Sequence, residues 1–253
     1  MQIKLVFKSF LKIIGIRVLK YKKEINFINT NDFIPTKKND DDIKLYNVGM
    51  LISKSPPDYS KKMRLYSLMQ IIKYVLNNDK IYDFVECGCW KGHSSFIIAQ
   101  SIKNSKKKIN FHIFDSFEGL SKITKKDKNL FYEDNKIKNN IENQFSSSEN
   151  FIKNTVLKKF KFVKIYKGWI PSRFFILKKN KFSFVHIDVD LYEPTFQSLE
   201  FFFPKLIKGG VIICDDYNNA RFEGAKNAWD NYFKNKKYSF SYKIPFGGCY
   251  IIK

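Results

Sequence analysis

Cysteine is scarce: the 253 residues contain four, Cys87, Cys89, Cys214 and Cys249. No second pair stands at zinc spacing, and four thiols are too few for a disulfide-stapled module. A chain of this length buries ~70–75% of its unfolded surface and needs no such staples. Cys87 and Cys89 form C-x-C in an apolar run, where a strand would turn both to one face, so they read as core thiols in a reducing compartment. Long hydrophobic runs are also missing, and none reaches the ~18–20 residues of a membrane span. There is no internal repeat and no arginine-rich stripe. Acids are outnumbered, 24 against 46 Lys and Arg, for a net charge of +22. That excess would attract nucleic acid, anionic lipid or phosphorylated substrates. Lys, Asn, Ile and Phe are all abundant, however, as AT-rich coding favours, and charge alone is only the first sign of nucleic-acid binding. Composition bias is the simpler account, and Lys106-Lys107-Lys108 reads as a solvated turn.

Two regions emerge. Residues 1–58 read as a basic amphipathic helix followed by a connector, and residues 59–253 as the main domain. Within 1–20, Lys4, Lys8 and Lys12 recur every four residues among Ile, Leu, Val and Phe, so they share a helix face. Such a helix lies on an anionic membrane, or packs on its own domain or a neighbouring subunit of a homo-oligomer. Lysines interrupt any signal-peptide core. The expected location is the cytoplasm, at the inner face of the membrane if residues 1–20 bind lipid. Residues 21–58 are polar and end in Ser55-Pro56-Pro57-Asp58, a turn signal.

From residue 60 a regular rhythm appears. Residues 60–76 have helical spacing. Strands are expected at 81–86, 109–115, 160–166, 182–189 and 211–214, and helices at 94–102, 193–206 and 221–233. A closing hairpin spans 238–242 and 249–252 around Pro245-Phe246-Gly247-Gly248. The polar stretch 121–150 interrupts the rhythm, as a lid or a solvated insertion. This alternation predicts an α/β fold with a mainly parallel sheet and helices on both faces. Ligands then bind beyond the carboxyl ends of the strands, at the switch point.

Those strand ends are acidic: Glu86, Asp115, Asp188 with Asp190, and Asp215 with Asp216. Any single one could be a cap or turn residue. Four equivalent ends converge on one crevice, where carboxylates repel unless a cation or donors stand among them. Glu86-Cys-Gly88-Cys-Trp-Lys-Gly92-His-Ser94 is a strand end, a glycine turn and a helix start, although it is not G-x-G-x-x-G. Asp115, ending the next strand, can accept ribose hydroxyls. Turn and acid together point to a nucleoside cofactor.

The segments DFVECGCWKGHSS (83–95), FDSFEGL (114–120), YKGWIP (166–171), HIDVDLYEPT (186–195), FPKLIKGGVIICDDY (203–217) and the Gly-Gly-Cys-Tyr close resemble the macrocin O-methyltransferase family, in order, from about residue 60 onward. The resemblance implies a class I methyltransferase, Rossmann-like, with a seven-stranded sheet and an antiparallel C-terminal hairpin. It implies S-adenosylmethionine and Mg²⁺ as cofactors and a sugar hydroxyl, on a glycan or glycosylated metabolite, as acceptor. Glu86, Gly88, Trp90, Gly92 and Ser94 would hold the methionine end, and Asp115 the ribose. Ser116 and Phe117 would flank the adenine, with Gly168 and Trp169 nearby. Asp188, Asp215 and Asp216 would bind the metal. An all-oxygen set suits a hard cation, and no His–Cys cluster suggests zinc. Such a cation lowers a hydroxyl's pKa, and two adjacent hydroxyls could chelate it.

Departures from the family pattern are His93 and Val189, where glycine is usual, Pro194, where serine is usual, and Ile251 in place of a tryptophan. His93 could line the pocket or act as a base, or simply start a helix in solvent. The lysine base of catechol-type relatives falls at Leu191, which leaves Asp190 as the base. His186 reads as a core residue. Asp188-Val-Asp190 also matches the D-x-D of metal-dependent glycosyltransferases, which would leave Asp215-Asp216 and the Glu86 turn unexplained. A non-catalytic membrane- or anion-binding protein on the same fold is a third reading. Base methylation of nucleic acid has no use for the Asp215-Asp216 pair.

Overall fold

A computed structural model describes residues 16–21 and 24–29 as backbone and residues 40–127, 145–218 and 223–253 in full. The chain divides into two compact units, Met1–Lys44 and Leu45–Lys253. In the smaller unit, β1 (Ile16–Tyr21) and β2 (Glu24–Asn29) form an antiparallel hairpin. The expected helix therefore does not continue through residues 16–20. β-Branched Ile16, Val18, Ile25 and Ile28 favour extended backbone over helix there. The rest of that basic stretch, and with it the membrane face, lies outside the described residues. Residues 21–58 are not a plain connector either, since they contain β2 and helix α1 (Asp41–Ser53).

The larger unit is a seven-stranded sheet. Its strands are β3 (Asp83–Cys87), β4 (Phe111–Asp115), β5 (Val163–Lys167), β6 (Phe182–Ile187), β7 (Leu206–Cys214), β8 (Phe240–Lys243) and β9 (Cys249–Ile252), in the order β5-β4-β3-β6-β7-β9-β8. β3 to β7 are mutually parallel, and β9 runs antiparallel to both β7 and β8. The expected mainly parallel sheet with an antiparallel closing hairpin is what forms. Strand order reverses between β3 and β6, which places the switch point beside β3.

The other long helices among the described residues are α2 (Tyr59–Leu76), α3 (His93–Ser105), α4 (Tyr192–Phe202) and α5 (Glu223–Phe233). Asp58 caps α2 by accepting the Lys61 N–H. Leu65, Leu68, Met69, Ile72 and Val75 on α2 join Phe96, Ile97 and Ile98 of α3 in a core on one sheet face, which includes Phe84, Phe111 and Ile113. Leu199 and Phe202 of α4 and Trp229 of α5 pack with Val85, Phe114, Val185 and Ile212 on the other face. Alternation along each strand feeds the two cores. The buried free thiols separate in the same way, with Cys87 in the second core and Cys89 in the first. They do not share a face, because Gly88, at φ +82°, ends the strand between them.

Three of the boundaries that differ from expectation have visible local reasons. β7 starts at Leu206, not 211, because Gly209 and Gly210 pair with Lys253 and extend the ladder. β5 starts at Val163, since Phe160 closes a turn by accepting the Val163 N–H. β6 stops at Ile187, so Asp188, Val189 and Asp190 form a loop above the sheet. Of the insertion 121–150, residues 128–144 lie outside the described residues. Its start is pinned, because buried Asp127 accepts N–H bonds from Tyr192 at 2.6 Å and Thr124 at 2.8 Å. Asp127 thereby caps α4, whose own N-cap, Leu191, has no side-chain acceptor.

Candidate active site

The carboxyl ends of the parallel strands open into a cavity of about 510 Å³. Gly88, Trp90, Ser94, Asp115, Ser116, Trp169, Asp188, Asp190, Asp215 and Asp216 line it, as do Lys61 and Arg64 of α2. The β3–α3 turn is tied to β4. Asp115 Oδ2 accepts the N–H groups of Cys89 at 2.6 Å and Trp90 at 3.2 Å, and Oδ1 accepts that of Phe117 at 2.7 Å. The carboxylate is thus oriented by backbone before any ligand arrives. Gly88 admits no side chain, because a Cβ would overlap the Asp188 carbonyl oxygen. The loop after β6 therefore lies directly against the glycine turn.

At the other side, one oxygen from each of Asp188, Asp215 and Asp216 gathers within 4.8 Å of the others. Arg64 Nε donates to Asp215 Oδ2 at 2.7 Å, and His186 Nε2 faces Asp215 Oδ1 at 3.8 Å. Burial works against ionisation of Asp215, but these two cations hold it well below the usual carboxylate range. Arg64 also favours the charged forms of Asp188 and Asp216, but without an ion pair to either, and burial followed by neighbouring carboxylates pushes both well above that range. Asp190, whose N–H bonds Asp216 Oδ2 at 2.8 Å, is pushed up to about 8 by burial and then by Asp188. An all-oxygen set that resists losing its protons fits a hard dication, which would restore the charged form of each.

Several expected residues stand apart from the cavity. Glu86 is fully buried beneath the turn, where it accepts bonds from Ser95 Oγ and, at 3.1 Å, from His186 Nδ1. Gly92, at φ +78°, starts α3 against Val156 and Ile152. Phe117 is buried, and Gly168 donates its N–H to the Asp115 carbonyl at 2.9 Å. His93 neither lines the cavity nor meets solvent. It is 1% exposed, its Nε2 donates to the Tyr46 carbonyl at 2.9 Å, and burial, then Lys61, pulls its pKa down to about 4. The imidazole fits because position 49 is glycine. As a catalytic base it is misplaced.

Sequence reasoning missed Lys61, Arg64, Ser95 and the charge on His186. Burial opposes that charge, yet Asp215 and Glu86 raise the His186 pKa to about 10. A signal existed for the α2 cations. Lys61 and Arg64 are spaced i, i+3 beside a capping Asp58, and so share one helix face.

The profile of the macrocin O-methyltransferase family matches residues 29–241. The chain belongs to that family. Demethyldecarbamoylnovobiocin O-methyltransferase of Streptomyces niveus is 22% identical over 168 residues, covering 61% of this chain and 60% of that protein. The 8-demethyl-8-(2,3-dimethoxy-alpha-L-rhamnosyl)-tetracenomycin-C 4'-O-methyltransferase of Streptomyces olivaceus is 28% identical over 161 residues, with the same shares. The chain thus spans about 60% of the length of these curated relatives. Among solved structures, that of the O-methyltransferase NovP matches with a TM-score of 0.66 at 20% identity, over 85% of this chain and 99% of that one. The fold is therefore that of class I methyltransferases. This membership displaces the D-x-D glycosyltransferase reading of Asp188-Val-Asp190. No helix among the described residues is long and apolar enough to cross a membrane.

Proposed function

We propose that this macrocin O-methyltransferase family member transfers a methyl group from S-adenosylmethionine to a sugar hydroxyl, with a divalent cation, Mg²⁺ by its hardness, held by Asp188, Asp215 and Asp216. The observation that carries the reading is the meeting, in one cavity, of the Gly88–Asp115 pair and the three gathered carboxylates. The name of the Streptomyces olivaceus relative includes a rhamnosyl group, which supports a sugar-bearing acceptor here.

Bound S-adenosylmethionine supplies an electrophilic methyl group, and a bound dication supplies charge to acidify the acceptor hydroxyl. The protein's own contribution is chiefly placement. Asp115 accepts ribose hydroxyls with the lone pairs its backbone partners leave free. Gly88 lets the turn approach the cofactor without a side chain. Trp90, Ser94 and Ser116 line its path, and Trp169, 42% exposed, offers a ring face at the rim. Glu86, Gly92, Phe117 and Gly168 shape the turn from behind. Asp190 accepts the acceptor's proton beside the three ligands. Leu120, just before the insertion, and Phe145, within it, also line the cavity. We place the reaction in the cytoplasm, where the four thiols stay reduced.

The test is transfer of labelled methyl from S-adenosylmethionine to a panel of nucleotide-linked and lipid-linked sugars, with and without Mg²⁺. Mg²⁺-dependent label in at least one sugar is expected. No incorporation across the panel, with cofactor binding intact, would return the acceptor class to open.

A further inference from the structure

Lys61 stands in the cavity wall on the first turn of α2. Its ammonium lies over the Trp90 ring, 4.8 Å from the centroid. Among the described residues no carboxylate reaches ion-pair distance of it. Burial works against its charge, which Asp188, Asp215 and Asp58 favour from farther away and Arg64 opposes. Arg64, one turn on, is by contrast committed to Asp215. A lysine removed from water ordinarily finds a counter-ion. Lys61 is therefore a cavity cation with its bonding capacity unspent, held on one side by an aromatic face.

The identity of its anion rests on the cofactor reading above. A sulfonium sulfur carries three substituents. The adenosyl group is directed to Asp115 at the end of β4. The methyl group must face an acceptor near Asp188, Asp215 and Asp216, at the ends of β6 and β7. The third substituent, the amino-acid chain, is left the wall above the β3 turn, where Trp90 and the first turn of α2 meet. That chain ends in a carboxylate. We infer that Lys61 binds the α-carboxylate of S-adenosylmethionine, which makes α2 part of the cofactor site. A phosphate or carboxylate on the acceptor would present the same chemistry from a second source, and the experiment separates the two.

Calorimetric titration of the full chain with S-adenosylhomocysteine and with 5′-methylthioadenosine provides the contrast, because the second ligand keeps the nucleoside thioether and lacks the amino acid. Lys61→Met should weaken S-adenosylhomocysteine by about 10–100-fold and leave 5′-methylthioadenosine unchanged, the scale for a lost bond to a charged group. Lys61→Arg should retain most of the affinity. Thermal melting checks the fold, and Lys61→Gln replaces Lys61→Met if the latter does not fold. Equal weakening of both ligands, or of neither, overturns the inference. So does a raised KM for the acceptor at unchanged S-adenosylhomocysteine affinity, which would assign the ammonium to the acceptor. Wild-type protein that binds neither ligand overturns the cofactor reading itself, a result distinct from wild-type binding that Lys61→Met leaves intact.

Discussion

Glu86 and His186 are register partners on the adjacent parallel strands β3 and β6, and their side chains meet at 3.1 Å inside the protein. The imidazole reaches on toward Asp215, which Arg64 holds from α2. A line of alternating charge thus crosses from the glycine turn to the acidic cluster. Its members are buried, so each depends on the next. Removing one partner strands a charge. Glu86→Ala should therefore cost about 3 kcal/mol of unfolding free energy, at the low end of the range for a broken buried pair because Asp215 still faces the ring. Urea unfolding measures it. A loss below about 0.5 kcal/mol, the size of an ordinary surface substitution, would show that the pair is uncharged and dispensable.

His93 predicts a pH effect of opposite sign to that of a salt-bridged histidine. Its folded pKa is depressed to about 4 from the ordinary 6.5. Between those values the unfolded chain binds a proton that the native protein refuses, so stability falls as pH drops from about 6.5 to about 4. The loss is at most about 3 kcal/mol. His93→Gln keeps a donor for the Tyr46 carbonyl and removes the titration. Its stability should decline less steeply than wild type across that window, as denaturant midpoints at several pH values would reveal. Parallel declines would remove His93 as the cause.

The insertion's anchor can be tested at Gly224. A Cβ there would overlap Asp127 Oδ1 and lie 2.8 Å from the Tyr192 nitrogen. Gly224→Ala should displace Asp127 from the start of α4 and cost about 1–3 kcal/mol, as overpacking does. Asp127→Ala removes the same cap without the clash and should cost about 1–2 kcal/mol. Thermal unfolding of both variants at wild-type midpoints would mean that Asp127 does not hold α4.

Much of this was legible in the chain. Strand ends advertise themselves, because apolar runs terminate in Glu86, Asp115, Asp188 and Asp215, and parallel pairing aligns those ends whatever the loops do. The glycine turn was readable because Gly88 and Gly92 stand where backbone must turn sharply. What was not readable depended on distance in sequence. Arg64 and Asp215 are 151 residues apart, and nothing local in α2 says which face of the sheet it covers. His186 reads as core, correctly for its burial, but its charge comes from Asp215, just past β7, and from Glu86 on β3. His93 stands out by replacing the family's usual glycine and reads as a pocket residue, a base or a helix start in solvent, yet α3 rotates it into the space that Gly49 leaves. Residues 16–20 looked helical from lysine spacing farther upstream, while their own β-branched residues favoured a hairpin.

The metal reading is tested most cleanly at Asp188. Asp215 is bonded to Arg64, and Asp216 accepts the Asp190 N–H. Changing either would disturb structure as well as ligation. No such bond ties down the Asp188 side chain among the described residues, and the residue is only partly buried. Asp188→Asn keeps the shape and removes the charge. Transfer should slow by at least about 10²-fold, the scale for losing a group that stabilises developing charge. Affinity for S-adenosylhomocysteine should change little, because Asp115 and the β3 turn lie on the other side of the switch point. Chelation of the wild type should give a comparable loss, restored by added Mg²⁺. Because the cluster's carboxylates resist ionising together, the variant should also melt no lower than wild type in chelator, the charge removed being one that repelled its neighbours. Undiminished transfer in excess chelator would overturn the metal reading. Asp188, Asp215 and Asp216 would then be acids and bases in their own right, with Asp190 no longer the favoured proton acceptor.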